Sequence, residues 1–291
     1  MHYLCQSLVK RRLSPYLQLI QTSRAMIFTG ELDRYKGLHI KLGHETIVSA
    51  QEFEASLKES LEEWIQKQYR VSWFQIGLQL TQYIPSLVKF GYVFHHSKPD
   101  YVVMNKWLSN EPKNIPDYAH TNIGVGGLVV DDKDRVLVVK EKHFFGPQQI
   151  WKFPGGYAIQ GEDFGQTAVR EVLEETGIEC EFQSVIAFRH IHRFAFDCSD
   201  VYIVCHLKPK AGSDSDGSDG SGLVVKKCAY EIDDCTWMSI PELKPQLTQF
   251  NAHILEKFLS YREMGVKIGL ESIPAIIRNI DQQTYSIHKV L

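Results

Sequence analysis

No stretch of the chain approaches the roughly 18 consecutive apolar residues that a membrane-spanning helix requires, so the sequence reads as a soluble protein despite a hydrophobic share of 44%. A surplus of positive charge is missing too: 32 lysines and arginines face 35 aspartates and glutamates, for a net charge of −3. With no basic excess there is no general pull toward a nucleic-acid backbone, which disfavours RNA as a partner. The six cysteines, at positions 5, 180, 198, 205, 228 and 235, form no CxxC pair and no regular framework. That excludes a zinc ribbon or a disulfide scaffold and fits reduced thiols in an intracellular compartment. The aspartate-bearing run Gly212 to Gly222 lacks the ligand spacing of a calcium loop and reads as a solvated, flexible segment.

What the chain does have is concentrated between Gly156 and Gly177. Gly156 is followed after five residues by Glu162, after seven more by Arg170-Glu171, then Val172, one residue, Glu174-Glu175, one residue, Gly177 and Ile178. Thr167 to Thr176 reads as a helix, with Asp163 as its N-cap, Gln166 at the capping-box position and Gly177 as the stop. At about 100° per residue, Glu171, Glu174 and Glu175 share one face, and Val169, Val172 and Leu173 point to the other. Like charges at this spacing cost a free helix roughly 0.2 to 0.5 kcal/mol per pair. A hard cation reverses the sign of that cost, and oxygen ligands of this kind suit Mg2+, with Mn2+ as the alternative.

With these residues in place, the sequence resembles the Nudix hydrolases, whose defining box is this pattern, and Trp151-Lys152-Phe153-Pro154-Gly155 is also typical of that family. GELDRYKG, GYVFHHS, MNKWL, PDYAHTNIGVGG and YREMG extend the likeness to an animal branch of the family. The resemblance implies that Glu171, Glu174 and Glu175 hold Mg2+ together with the Gly155 carbonyl. It implies structural roles for Glu162, paired with a basic side chain, and for Arg170, orienting Glu171. The implied chemistry is attack of water on one phosphorus of a diphosphate, with either Glu171 or Glu231 as the base. ADP-ribose or NADH-like compounds are the first substrate candidates, although the signatures of the NADH-specific and CoA-specific branches are absent. Lys140, Arg189 and His192 are the candidate substrate contacts, and Lys142, Trp151 and His190 offer further cationic or aromatic groups near the box. An alternative is a regulatory or interaction protein that keeps the box for nucleotide binding.

The remaining sequence divides around this region. Residues 1–28 carry Lys10, Arg11, Arg12 and Arg24 and no acidic residue, the composition of a mitochondrial transit segment; cytoplasm or nucleus is the alternative. Residues 29–113 read as a smaller α+β domain unlike the Nudix core, a scaffold for packing or for a homodimer. It has strands at 38–42, 71–76, 92–95 and 101–107, a helix opened by the Ser49-Ala50-Gln51-Glu52 capping box with Phe53, Leu57, Leu61, Trp64 and Ile65 on one face, and a second helix from Gln79 to Phe90 despite Pro85. His95 and His96, adjacent in a strand, should point to opposite faces and share no metal. Residues 114–265 form the box-bearing domain, an αβα sandwich around a mixed sheet. A hairpin joins 124–130 to 135–140, strands follow at 180–189 and 200–207, and Trp237 marks the last core strand. In the tail, 266–291, the run IPAIIRNI is helix-like.

Overall fold

The computed structural model describes residues 26–43, 48–143, 149–210, 223–267, 269–277 and 280–287. The basic leading segment, up to residue 25, and the run from Gly212 to Gly222 lie outside the described residues. The chain separates into two compact units, one ending at Tyr118 and one beginning at Ala119.

The first unit is a five-stranded sheet with helices packed on it. Its strands are β1 (Glu31–Leu32), β2 (Gly37–Lys41), β3 (Val71–Gly77), β4 (Val93–Lys98) and β5 (Tyr101–Trp107), in the order β1-β2-β3-β5-β4. Only β2 and β3 run parallel, and α1 (Ala50–Gln66) supplies the crossover that a parallel pair requires. Ser49 caps α1 in a complete capping box with Glu52. Phe53, Leu57, Leu61 and Trp64 bury against Phe74, Ile76 and Met104. Ile65 does not join them and is 55% exposed, because one step past Trp64 rotates about 100° off the stripe. The expected helix over 79–90 is broken into a 3-10 segment, Leu78–Tyr83, and a short α2 (Ile84–Lys89). Pro85 sets the break: it has no N–H to donate and is tolerated only in the first turn of a new helix.

The histidine pair also departs from expectation. The β4–β5 register shifts between Phe94 and His96, and such a bulge upsets the strict alternation of faces. The two rings meet, with His95 Nδ1 2.8 Å from His96 Nδ1, while His95 Nε2 donates to the Pro116 carbonyl at 3.0 Å.

The second unit has helices on both faces of a mixed sheet. Its elements are β6 (Thr121–Val129), β7 (Arg135–Glu141), β8 (Gly155–Tyr157), α3 (Phe164–Thr176), β9 (Cys180–Ile191), β10 (Ser199–Pro209), β11 (Ile232–Ser239), α4 (Ile240–Leu243), α5 (Gln249–Glu263), β12 (Leu270–Ile277) and β13 (Ile280–Ile287). Six strands lie in the order β13-β12-β9-β10-β6-β8, and β11 with β7 forms a separate pair. The β10–β6 pairing is parallel and the others are antiparallel. Alternation along β6 sends Val125 and Val129 to the α3 side with Ala168 and Val172, and Leu128 to the α5 side with Leu255 and Phe258.

Two expectations for this unit need correction. β6 and β7 meet only at the Val130–Val136 bridge and then enter different sheets, so the anticipated hairpin is confined to its turn, where Asp131 Oδ1 accepts from the Lys133 and Arg135 amides. Within the IPAIIRNI run, residues 273–277 form most of β12 and Ile280 opens β13; the isoleucines favour a strand, and Pro274 is accepted because β12 pairs with β9 only at Leu270, which leaves that side open beyond it. β11, which carries Trp237, is the last strand with fully buried core residues among those described, and β12 and β13 follow it. Cys180, Cys198, Cys205, Cys228 and Cys235 are free thiols, and among the described residues no helix is long and apolar enough to cross a membrane.

Candidate active site

The box helix α3 begins at Phe164, a turn earlier than expected. Asp163 and Gln166 close a full capping box, and Gly177 ends the helix in the left-handed region at φ 73°. Its faces are divided differently from the sequence reading. The buried arc holds Ala168, Val172, Thr176 and also Glu171 and Glu175, which are 9% and 4% exposed. Leu173, expected inside, is 45% exposed. Setting Glu171 at 0°, Glu175 lies at about 40° and Val172 at about 100°, within the buried arc, whereas Leu173 at about 200° and Glu174 at about 300° fall on its two outer flanks.

The buried flank faces the strand β8. Gly156 brings its backbone so near Glu171 that a Cβ there would stand 2.6 to 2.8 Å from the carboxylate atoms. Glu175 Oε2 accepts from the Gly155 amide at 2.8 Å. Gly155 itself passes Val125 so closely that a Cβ would come within 2.2 Å of its carbonyl oxygen. Arg170 ties the loop to the helix: its Nε and Nη2 grip both oxygens of Glu162 at 2.6 and 2.9 Å, its Nη1 reaches Glu171 and Glu174 at 2.7 and 3.0 Å, and Nη2 also donates to the Tyr157 carbonyl. This bidentate fork holds Glu162 well below the usual carboxylate range, near 2.

Glu171, Glu175, Glu231 and Glu141 line one cavity of about 320 Å3, with His143 and the Gly155–Tyr157 backbone. Burial pushes Glu175 up to about 7, with Glu171 and Glu141 adding repulsion against the pull of Lys152 and the Gly155 amide. Burial also raises Glu171, opposed by Arg170 and reinforced by Glu174 and Glu231. Glu174 stays outside this cavity, its side chain 56% exposed against Arg170, and among the described residues no three acidic, histidine or cysteine side chains form a ready-made ion cage. The donor set is nonetheless that of a hard cation site: two carboxylates with raised proton affinity flank the Gly155–Gly156 backbone, a charge pattern that a divalent ion relieves.

The other anticipated contacts divide. Glu231 lies in the cavity, and its carbonyl accepts from the Lys142 amide at 2.8 Å. Lys140 does not: it stacks over Trp151 at 4.3 Å, on the strand face opposite Glu141, and Trp151 is core. Lys142 is turned to the Ala229 carbonyl. Arg189 is held between the rings of Tyr202 and Phe250 at 5.4 and 5.5 Å, and its buried Nε has no partner among the described residues. His192 bonds Ser199 Oγ through Nδ1 at 2.9 Å, beside His190. Sequence reasoning missed Glu141, which lines the cavity, and Lys152, which bonds to it from beside the cavity. Lys152 Nζ bonds Glu141 and, at 3.2 Å, the Gly155 carbonyl, and it lies 3.9 Å from Glu175. Strict alternation from Val139 would have pointed Glu141 inward; Lys152 arrives only through the Val139–Lys152 bridge, which no local pattern announces.

A sheet between helices, with a glycine strand set against a helix bearing buried carboxylates, is the arrangement that the box pattern implied. The family model for the NUDIX domain matches residues 120–258. The leading segment, expected to be unlike that core, is itself matched over residues 28–108 by a family model described as a Nudix hydrolase domain. The chain is 33% identical over 273 residues to the human protein "Nucleoside diphosphate-linked moiety X motif 6", covering 90% of this chain and 82% of that one. It is 42% identical to the Xenopus laevis protein of the same description over 69% of this chain and 89% of that one. It is 38% identical to Arabidopsis thaliana "Nudix hydrolase 2", covering 71% and 70%. The chain belongs to the Nudix hydrolases and is an enzyme of that family.

Proposed function

We propose that this enzyme hydrolyses the pyrophosphate of nucleoside diphosphate-linked compounds with Mg2+, and that ADP-ribose and NADH-like molecules are its first candidate substrates. The observation that carries this reading is the convergence of Glu171 and Glu175 on the Gly155–Gly156 backbone inside one carboxylate-lined cavity. Glu171, Glu175 and the Gly155 carbonyl would hold the ion, with Glu174 completing the set from the helix flank. When bound, Mg2+ or Mn2+ neutralises the diphosphate oxygens and makes water more acidic.

The protein's own groups do the rest. Arg170 fixes the orientation of Glu171. Glu231, which forms no ion pair among the described residues, takes the proton from the attacking water as its oxygen bonds to phosphorus. The bridging P–O bond breaks, giving a nucleoside monophosphate and the phosphorylated second moiety. Lys152 holds an ammonium at the Gly155 carbonyl and 3.9 Å from Glu175, where it would meet a diphosphate oxygen.

The test incubates purified protein and Mg2+ with ADP-ribose, NADH, FAD, CoA and dinucleoside polyphosphates, using Glu171→Gln as control. Turnover of at least one compound well above the control is expected. No turnover above it would leave a nucleotide-binding regulatory protein as the surviving reading. We also propose a homodimer through the first unit and mitochondrial import through residues 1–28; a monomeric mass by light scattering would remove the first, and a reporter fusion that stays cytosolic the second.

A further inference from the structure

The groups assigned to the ion already share their oxygens with a cation of the protein's own. Trp151 and Phe153 are core residues, 6% and 1% exposed, and the residue between them points the other way, as alternation along an extended chain requires. Two backbone bonds hold this stretch against β7: the Lys152 N–H donates to the Val139 carbonyl and the Val139 N–H to the Lys152 carbonyl, each at 3.0 Å. The side chain is thereby delivered among acceptors. Its ammonium donates to Glu141 Oε1 and, at 3.2 Å, to the Gly155 carbonyl, and it stands 3.9 Å from Glu175 Oε1.

The two cations beside the helix carboxylates therefore have different partners. Arg170 bonds Glu162, Glu171, Glu174 and the Tyr157 carbonyl, a brace between loop and helix. Lys152 instead engages the Gly155 carbonyl and faces Glu175, two of the groups assigned to the ion. Its charge is felt there: burial raises the proton affinity of Glu175, and Lys152 is the first influence against that rise. What offsets the carboxylate's charge toward a proton offsets it toward a metal as well. A unit charge a few ångströms from a divalent ion changes its affinity by about 10-fold or more, even at the high effective dielectric of a half-open site.

We infer that Lys152 competes with the divalent ion for the Gly155 carbonyl and Glu175, and keeps the affinity for the ion alone low until a diphosphate takes the ammonium. The inference rests on the diphosphate hydrolase reading above, which assigns those groups to the ion. A diphosphate brings anionic oxygens of its own, and an ammonium on a flexible four-carbon stem can turn to them while Glu141 keeps it near. Ion and substrate then favour each other, since whatever the substrate does for the ion the ion does for the substrate. Lys152 is in this sense a positioning residue: it decides when the carbonyl and the carboxylate are available, and it forms no bond to phosphorus itself.

The test titrates Mn2+ into the full chain in slightly alkaline buffer with no substrate added and reads the free ion by electron paramagnetic resonance. Lys152→Met and Lys152→Gln, which remove the charge and keep most of the length, should bind Mn2+ about 10-fold or more tighter than the wild type, with thermal melts in EDTA showing that they fold. A lysine that only braced the Gly155 backbone would give the opposite sign, because its loss would loosen a ligand. At saturating substrate the gap should close to about 3-fold or less in the Mg2+ needed for half-maximal rate, since the diphosphate then holds the ammonium. Mn2+ affinity that is unchanged or weaker in the folded variants would overturn the inference, and a gap that persists with substrate would remove the part given to the diphosphate. Tighter Mn2+ binding without turnover of any panel compound sinks the hydrolase reading alone, and turnover with no gain in Mn2+ affinity sinks this inference alone.

Discussion

Gly156→Ala isolates the position of one carboxylate from the stability of the fold. The added methyl would stand 2.6 Å from Glu171 Oε1, 2.7 Å from Cδ and 2.8 Å from Oε2. Ordinary contact is about 3.5 Å, so the carboxylate must retreat by roughly 0.8 Å. It can, because it ends a side chain and is not backbone. Gly156 is not among the positive-φ glycines, so alanine fits the main chain and trims the freedom of the unfolded state. Stability should therefore change by less than about 1 kcal/mol, within about 4 °C in Tm. Catalysis should not be spared: a displacement near 1 Å costs on the order of 100-fold, about 2.7 kcal/mol of barrier. The assay is kcat/KM on the best substrate of the panel beside a thermal melt, with Mn2+ affinity read by electron paramagnetic resonance. Gly155→Ala is the contrast, since its Cβ would strike the Val125 carbonyl and the Gly126 Cα, which are backbone, and it should unfold the domain. If Gly156→Ala keeps turnover within 3-fold and wild-type Mn2+ affinity, the position of Glu171 is not what the site depends on.

Arg170→Met removes the fork that joins Glu162 to Glu171 and Glu174 and should lower kcat by roughly 10- to 100-fold; Arg170→Lys should rescue little because an ammonium cannot grip Glu162 bidentately, and full activity of the lysine variant would contradict this. His206 is held neutral by burial, with Arg262 adding repulsion, and its pKa falls to about 4. Between about 4 and 6.5 the unfolded chain binds the extra proton, so stability falls as pH drops through that window, by up to about 3 kcal/mol. A melt series from pH 7 to 4 should show this slope, and His206→Gln should flatten it. Ser49→Ala deletes the cap of α1 and should cost about 1 kcal/mol in urea unfolding; an unchanged midpoint would show that the cap contributes nothing.

The reach of the sequence follows from how local each signal is. The capping boxes at Ser49 and Asp163 and the glycine stop at Gly177 are satisfied within one turn of helix, so residue spacing suffices to place them. Strand β10 was legible from alternation, but the separation of β6 from β7 was not, because it depends on β11 competing for β7. Pro85 was read as tolerated inside a helix, whereas its missing donor divides the segment. At the site, periodicity treated Glu171, Glu174 and Glu175 as one face and Leu173 as core. The i, i+3, i+4 spacing spans about 100°, wide enough that the tertiary partner decides which members turn inward. Strand β8 covers the flank of Glu171 and Glu175, and Glu174 is left with Arg170. This division has a functional consequence. Two carboxylates that must be buried beside each other keep a high proton affinity until a cation arrives, while the exposed one stays available to move. Glu174→Gln should therefore weaken metal binding less than Glu171→Gln or Glu175→Gln at neutral pH. Equal losses for all three in a Mn2+ titration would show that the helix presents its glutamates as a single set.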